Sequence, residues 1–348
     1  MFPPPTQDAD SAIRLTDSDA ALARLSAVRK KYLEDPFIPF LVPRAAFQTP
    51  RPPLINIGTF VRATAIDDLV FQWLQTSLNQ GIRSQIISLG AGSDTRFWRI
   101  ATGPYKDALE TYIELDFPDI TSKKAMAIRK SKDLSAILGE VNVSLGGTGL
   151  TSTNYHLLPV DLRLPPEATL ANHLSSAILS STLPTLLLFE CVLVYMSPEA
   201  SSAILQWFVE FFSGGETAPL GSIVYEMFGL QDAFGRVMVE NLKARNVSLP
   251  GAAPYSDIHS LPTRFTNVGF TAAHALTLKE IRKSYISATE LERIAHLELV
   301  DEVEELELVL NHYAITWGLC APTEALRTAW GGWGLVKAVT IPSDEDDE

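Results

Sequence analysis

The sequence predicts an open α/β fold: a seven-stranded, mostly parallel sheet that ends in an antiparallel pair and carries helices on its faces. Three features predict it. Five apolar runs are each followed by a segment with helical spacing, and such alternation builds a parallel sheet through crossover connections. The first run, within Gln85–Arg99 (QIISLGAGSDTRFWR), breaks into two glycines and then into a helix start. Near the end, HYAITWGLC and GWGLVKAVTI flank APTEALRTAWG and suit the antiparallel pair.

Taken in order, Pro3–Pro5 make residues 1–16 a disordered lead-in, and Asp17/Ser18 cap a helix running to Glu34 with Leu22, Leu25, Val28 and Tyr32 on one stripe. Residues 35–56, rich in Pro and aromatics, read as a packed irregular segment. A second helix covers about Thr59–Asn79, closed by Gly81, with Ile66, Leu69 and Trp73 inward. Arg62 shares that stripe, where a guanidinium is costly unless paired.

Ile86, Ile87 and Leu89 suit a strand buried on both faces. Gly90 and Gly92 let the chain turn and let a ligand approach the main chain, and Ser93 and Asp94 are candidate caps for the next helix. The second strand, Thr111–Phe117, carries Glu114 and Asp116 two apart and therefore on one side. Gly139–Thr153 reads as a loop. The third strand, HLLPVDLR, carries Asp161 and precedes a helix over Glu167–Leu179. The fourth, TLLLFECVLVYM, is interrupted by Glu190, and Ser197 with Pro198 starts the helix after it. SIVYEMF and a helix over Asp232–Arg245 complete the five units, and a long helix over Ala288–Asn311 buries Leu299, Val303, Leu306 and Leu310. The chain reads as one domain, 17–341, with 17–80 as a helical cap, 230–311 containing a helical insertion, and 342–348 as an acidic tail.

A net charge of -13 argues against nucleic-acid binding, which needs clustered Lys and Arg. Two cysteines build neither a disulfide framework nor a Cys-based zinc site, and the six histidines show no metal spacing. With no signal-peptide pattern and no long apolar run, the expectation is a cytoplasmic or nuclear protein that is not membrane-bound.

The glycine turn fails the dinucleotide fingerprint, because position 95 is Thr95 where glycine or alanine is needed. A nucleoside without pyrophosphate fits the same topology, S-adenosylmethionine being the commonest, with its ribose on a carboxylate at the end of the second strand.

In order, LGAGSDTRFW, YIELDFP, PVDLR and LLLFECVLVYMSPE resemble the leucine carboxyl methyltransferases, in particular fungal-like members, which methylate the C-terminal leucine of type 2A protein phosphatase catalytic subunits. RKKYLEDPF, FGRVMVENLKARN and LELVDEVEEL extend the likeness over residues 20–341. The resemblance implies a class I, Rossmann-like methyltransferase fold and S-adenosylmethionine as cofactor. It implies that Arg62 grips the methionine carboxylate, Gly90 lies under the cofactor, Asp116 takes the ribose, Asp161 and Leu162 hold and cover the adenine, and Glu190 faces the amino group. Glu114 is then a supporting carboxylate. Where the family has a lysine, Arg24 stands here, with Lys30 and Lys31 close in sequence. Tyr195 and Arg163 are candidates to orient the acceptor.

The implied reaction is SN2 transfer of a methyl group to an α-carboxylate. A chain-terminal carboxyl, with a pKa of about 3.3–3.7, is already ionised at neutral pH, so no general base is expected. The implied partner is the tail of the phosphatase catalytic subunit, bound by a monomer. The alternatives are an O-methyltransferase acting on a small molecule or tRNA, and a non-catalytic protein that keeps the fold.

Overall fold

The protein is seen here as a computed structural model, which describes residues 9–174, 177–213, 218–301 and 303–339. Among the described residues nine strands follow in chain order: β1 (Ser84–Leu89), β2 (Leu109–Asp116), β3 (Asn142–Ser144), β4 (Gly149–Thr151), β5 (Tyr155–Pro159), β6 (Thr185–Glu190), β7 (Leu220–Met227), β8 (Ala272–Thr277) and β9 (Tyr313–Cys320). They form one sheet in the order β3-β4-β5-β2-β1-β6-β7-β9-β8. β5, β2, β1, β6 and β7 are mutually parallel, whereas β9 is antiparallel to β7 and β8 to β9. β1 is buried at all its positions, and Ile86 and Ile87 point into different apolar layers, as its continuous apolar character requires.

The helices are α1 (Ala9–Arg29), α2 (Ile38–Leu41), α3 (Pro53–Asn79), α4 (Arg96–Ala101), α5 (Pro118–Lys130), α6 (Lys132–Leu138), α7 (Leu170–His173), α8 (Pro198–Ser213), α9 (Ala233–Lys243), α10 (Thr263–Thr266), α11 (Leu278–Ser284), α12 (Ala288–Ala295), α13 (Val303–Asn311) and α14 (Glu324–Trp330). One layer packs Leu69, Val70 and Trp73 of α3 with Ile281, Leu310 and Trp330. The other is built on Ile204, Leu205, Phe208 and Phe212 of α8. Trp73 fixes the first layer. Its ring lies 4.2 Å from that of Trp330 and 5.0 Å from that of Trp333, and a side chain at Gly221 would come within 2.6 Å of it.

Several expectations are corrected. The first helix begins at Ala9, so residues 9–16 are helical rather than a disordered lead-in; residues 1–8 lie outside the described residues. The Gly139–Thr153 loop contains the antiparallel β3–β4 pair, which lengthens the sheet to nine strands. Among the described residues of the helix expected over Glu167–Leu179, only the four-residue α7 is helical, since Pro165 and Pro166 limit where it starts and no side chain caps it. Glu190 ends β6 rather than interrupting it. The long helix over Ala288–Asn311 is two helices, leaving Leu299 86% exposed and Val303 half-exposed, while Leu306 and Leu310 are buried. Within 230–311, the strand β8 stands beside the helices α9 to α13.

The terminal pair also differs. The partner of β9 is β8, which precedes it, and residues 332–339 form no strand. Instead, the Trp333 indole N–H donates to Leu69 O at 2.9 Å, committing that segment to α3. The acidic tail 342–348 lies outside the described residues.

Candidate active site

From β1 the chain steps outward to β2 and β5, then returns to β6 on the other side of β1. A crevice forms outside the carboxyl ends of the strands at such a reversal. Gly90 (φ +66°) and Gly92 (φ +49°) turn the chain there, a region that side-chain-bearing residues rarely adopt. Both glycines are also crowded: a β-carbon on Gly90 would meet Val192 Cγ2 at 2.4 Å, and one on Gly92 would meet Asp17 Oδ1 at 2.5 Å. Asp116, at the end of β2, accepts from Gly92 N and Phe117 N, each at 2.7 Å. Burial nevertheless pushes its carboxyl up to about 6, against the pull of those two amides.

Over this turn lies a cavity of about 380 Å³, walled on the far side by α1 through Ile13, Thr16, Asp17, Ala20 and Arg24. Its N-terminal half is held by polar contacts. Asp17 Oδ1 accepts from Ser93 N at 2.7 Å, Asp10 takes two bonds from Arg163 at 2.5 and 3.0 Å, and Asp19 pairs with Arg245. Farther along, Ala21 and Leu25 pack on Ile38 and Val42.

Beneath the cavity runs a buried charge network. Arg96, on α4, reaches Asp67 at 3.0 Å, Asp94 at 2.6 Å and Glu190 at 3.0 Å, while Arg99 grips Asp67 with two bonds. Burial opposes ionisation of Asp67, but Arg99 and Arg96 outweigh it and hold the carboxyl below its usual range. Thr95, the residue that breaks the dinucleotide fingerprint, donates to Asp35 at 2.5 Å and ties the turn to the irregular segment. Asp94 accepts from Arg96 N at 2.8 Å, and Ser93 plays no capping role.

The structure brings most of the sequence-predicted residues together. Arg24, Arg62, Gly90, Asp116, Leu162, Arg163, Glu190 and Tyr195 all line this cavity. Arg62 stands 3.6 Å from Glu190 and over the Tyr225 ring at 5.2 Å, and its Nε is buried without a hydrogen-bond partner. Glu190 is therefore not an unpaired acid in an apolar strand, because Arg96 and Arg62 flank it. Arg24 is paired with Asp35 at 2.5 Å. Lys30 instead pairs with Glu298, and neither Lys30 nor Lys31 is among the cavity-lining residues. Glu114 lies behind the wall with Lys124 at 2.5 Å and Tyr155 at 2.8 Å.

Three expectations change. Asp161 stands behind Arg163, accepting from its Nε and a terminal nitrogen at 2.9 and 2.7 Å, rather than facing the cavity. Arg163 in turn spends four donor contacts on Asp161 and Asp10, so it fastens α1 and has little left for an acceptor. Tyr195 keeps its place on the wall. Burial raises the phenols of Tyr195, Tyr225 and Tyr313, which keeps these three cavity-lining hydroxyls protonated. Tyr225 and Tyr313 stack at 5.4 Å, an arrangement hidden in sequence because it needs the antiparallel register of β7 and β9. Asp17, read as a cap, sits inside α1. The one available signal was Tyr225, placed near the carboxyl end of a parallel strand.

The family model for leucine carboxyl methyltransferases matches residues 12–209, which include most of α1, the glycine turn, Asp116 and Glu190. The chain belongs to that family. It is 44% identical to leucine carboxyl methyltransferase 1 of Cryptococcus neoformans var. neoformans serotype D, over 91% of this chain and 95% of that one. Against leucine carboxyl methyltransferase 1 of Aspergillus fumigatus it is 37% identical, over 95% and 88% of the two chains. A solved O-methyltransferase family protein from Burkholderia thailandensis is 10% identical with a TM-score of 0.38, over 92% of this chain and 75% of that one.

The protein is thus a leucine carboxyl methyltransferase family enzyme with the class I fold, and S-adenosylmethionine is its cofactor. The cavity fits that group: among the described residues a buried guanidinium nitrogen lacks a partner, a carboxylate ends β2, and the two glycines of the turn line the wall. Among the described residues no set of three or more His, Cys, Asp or Glu is placed to hold a metal, and no helix is long and apolar enough to cross a membrane.

Proposed function

We propose that the enzyme methyl-esterifies the C-terminal leucine carboxylate of the type 2A protein phosphatase catalytic subunit. When bound, S-adenosylmethionine would supply a sulfonium methyl group for transfer to that carboxylate, with S-adenosylhomocysteine as the leaving product. Arg62 would hold the cofactor carboxylate through its unpartnered Nε, in the fork geometry suited to that task. Asp116 would accept from the ribose hydroxyls, Glu190 would face the amino group, Leu162 would cover the adenine, and Asp161 would act through Arg163. Arg24, braced by Asp35, would stand where the family has its lysine.

The observation that carries this reading is the set of groups left on the acceptor side. Tyr195, Tyr225 and Tyr313 are protonated donors, and the cavity-lining residues include no histidine. The lining carboxylates are engaged by cations or amides: Asp94 and Glu190 by Arg96, Asp19 by Arg245, Asp17 and Asp116 by main-chain N–H groups. Donors without a free base suit an acceptor that arrives ionised, and Tyr195 would orient it. Catalysis then rests on alignment and on exclusion of water under α1. Incubation with radiolabelled S-adenosylmethionine should label the intact phosphatase subunit and not a subunit lacking its last residue. Absence of label, with cofactor binding shown by calorimetry, would defeat the assignment.

A further inference from the structure

A second cavity, of about 780 Å³, opens on the other side of Asp17 and Ser93, between α5 and the connection that carries α2. Its walls combine two features that rarely share one surface. Lys123, Lys130 and Lys132 line it, all exposed and without an ion pair among the described residues, although the chain carries 41 acidic against 28 basic residues. Lys124, next to Lys123 in sequence, turns inward to Glu114 and Asp94 O instead. The same walls expose Phe40 (40%) and Met126 (48%) above Leu22, Val42 and Ile120. Asp17 and Asp133 are its two carboxylates, of which Asp17 is turned to Ser93 N.

A solvated helix face accounts for the lysines alone, but not for an aromatic ring and a thioether exposed among them. Unpaired cations around an apolar floor, on a chain of net charge -13, complement a segment that carries acidic residues on both sides of an apolar anchor. We propose that this groove docks such an acidic peptide segment of a partner protein, its apolar side chain against Phe40 and Met126 and its carboxylates on Lys123, Lys130 and Lys132. The groove adjoins the methyl-transfer cavity, sharing Asp17, Ala21, Gly92, Ser93 and Ile120 with it, but its lysines, Phe40 and Met126 are not among that cavity's lining residues, so the proposal stands whatever the acceptor is.

The probe is a fluorescein-labelled octapeptide with six glutamates around a central Phe-Leu pair, titrated against the full chain and followed by anisotropy. The triple variant Lys123→Glu/Lys130→Glu/Lys132→Glu should weaken binding by about tenfold or more, since each reversed pair contributes up to about 1 kcal/mol. Phe40→Ser should weaken it severalfold, whereas Lys279→Glu, at a paired lysine elsewhere, should leave it unchanged. Unaltered melting temperature and S-adenosylhomocysteine affinity would show that the triple variant is folded. No binding, or equal binding to the triple variant, would overturn the proposal. So would equal binding of an all-glutamate octapeptide or displacement by inorganic tripolyphosphate, which would mark a simple anion site, and so would a dimer dissolved by the triple substitution, which would make a second copy the occupant.

Discussion

Replacing Arg62 with alanine separates cofactor binding from folding. In the folded protein its Nε has no hydrogen-bond partner, its nearest carboxylate oxygen is 3.6 Å away, and its guanidinium lies over Tyr225. Removing it does not strand Glu190, because Arg96 still donates to Glu190 Oε1 at 3.0 Å. The stability change is therefore confined to lost packing and the contact with Tyr225, about 0.5–2 kcal/mol, or a shift of a few degrees in melting temperature. The binding change is larger. A charge-assisted hydrogen bond is worth about 1.5–3 kcal/mol, so S-adenosylhomocysteine affinity should fall roughly 10- to 150-fold. Arg62→Lys, which keeps the charge without the fork, should fall between the two. Isothermal titration with a parallel thermal melt decides the matter: a melt near wild type with unchanged affinity would refute the assignment, because it would place the cofactor carboxylate elsewhere.

Gly90→Ala should cost about 2–4 kcal/mol in chemical denaturation, from positive φ together with overpacking against Val192, while Gly81→Ala, also at positive φ but in open space, should cost only about 1 kcal/mol. Asp116 gives a pH signature. Its folded pKa of about 6 exceeds the unfolded value of about 3.9, so the folded state binds more protons and the cofactor-free enzyme loses stability as pH rises from about 4 to 6. Cofactor affinity should rise over the same window as the carboxylate ionises, and Asp116→Asn should bind more weakly with no such slope by calorimetry at several pH values. Asp10→Ala, which removes the partner of Arg163 on α1, should speed S-adenosylhomocysteine release severalfold in stopped flow and reduce the salt dependence of that rate.

The parallel core was legible because burial on both faces leaves continuous apolar runs, and β1, β2, β5, β6 and β7 lie where those runs are. The glycine turn was legible for a related reason: Gly90 and Gly92 have backbone requirements that few residues meet. What failed depended on tertiary partners. GWGLVKAVTI has strand-like composition, yet the Trp333 indole finds a carbonyl on α3 and the sheet edge goes to β8 instead. Leu299 matched a helical period, but the helix breaks there and leaves it exposed. Arg163 was recognisable as a cation near the third strand. That Asp10, far away in sequence, would consume its donors could not be seen without knowing where α1 lies.

The buried network under the cavity is a weak source of stability, since desolvating Arg96, Asp67 and Asp94 offsets much of their attraction. Its geometry suggests a different purpose. Of the arginines lining the cavity, Arg14 reaches Asp119, Arg24 Asp35, Arg96 three carboxylates, Arg163 two and Arg245 Asp19. Two of them are held least closely: Arg14, 3.5 Å from Asp119, and Arg62, whose nearest carboxylate oxygen is 3.6 Å away on a group that Arg96 shares through its other oxygen, and of these two Arg62 is the one beside Glu190 at the end of β6. By satisfying Arg24, Arg96, Arg163 and Arg245 in advance, these contacts leave the Arg62 guanidinium beside Glu190 short of a partner, where an incoming carboxylate can complete it. Preorganisation of this kind lowers the ordering cost of binding without any new contact. It predicts that loosening Arg96, for example as Arg96→Lys, weakens cofactor binding through the positions of Glu190 and Arg62.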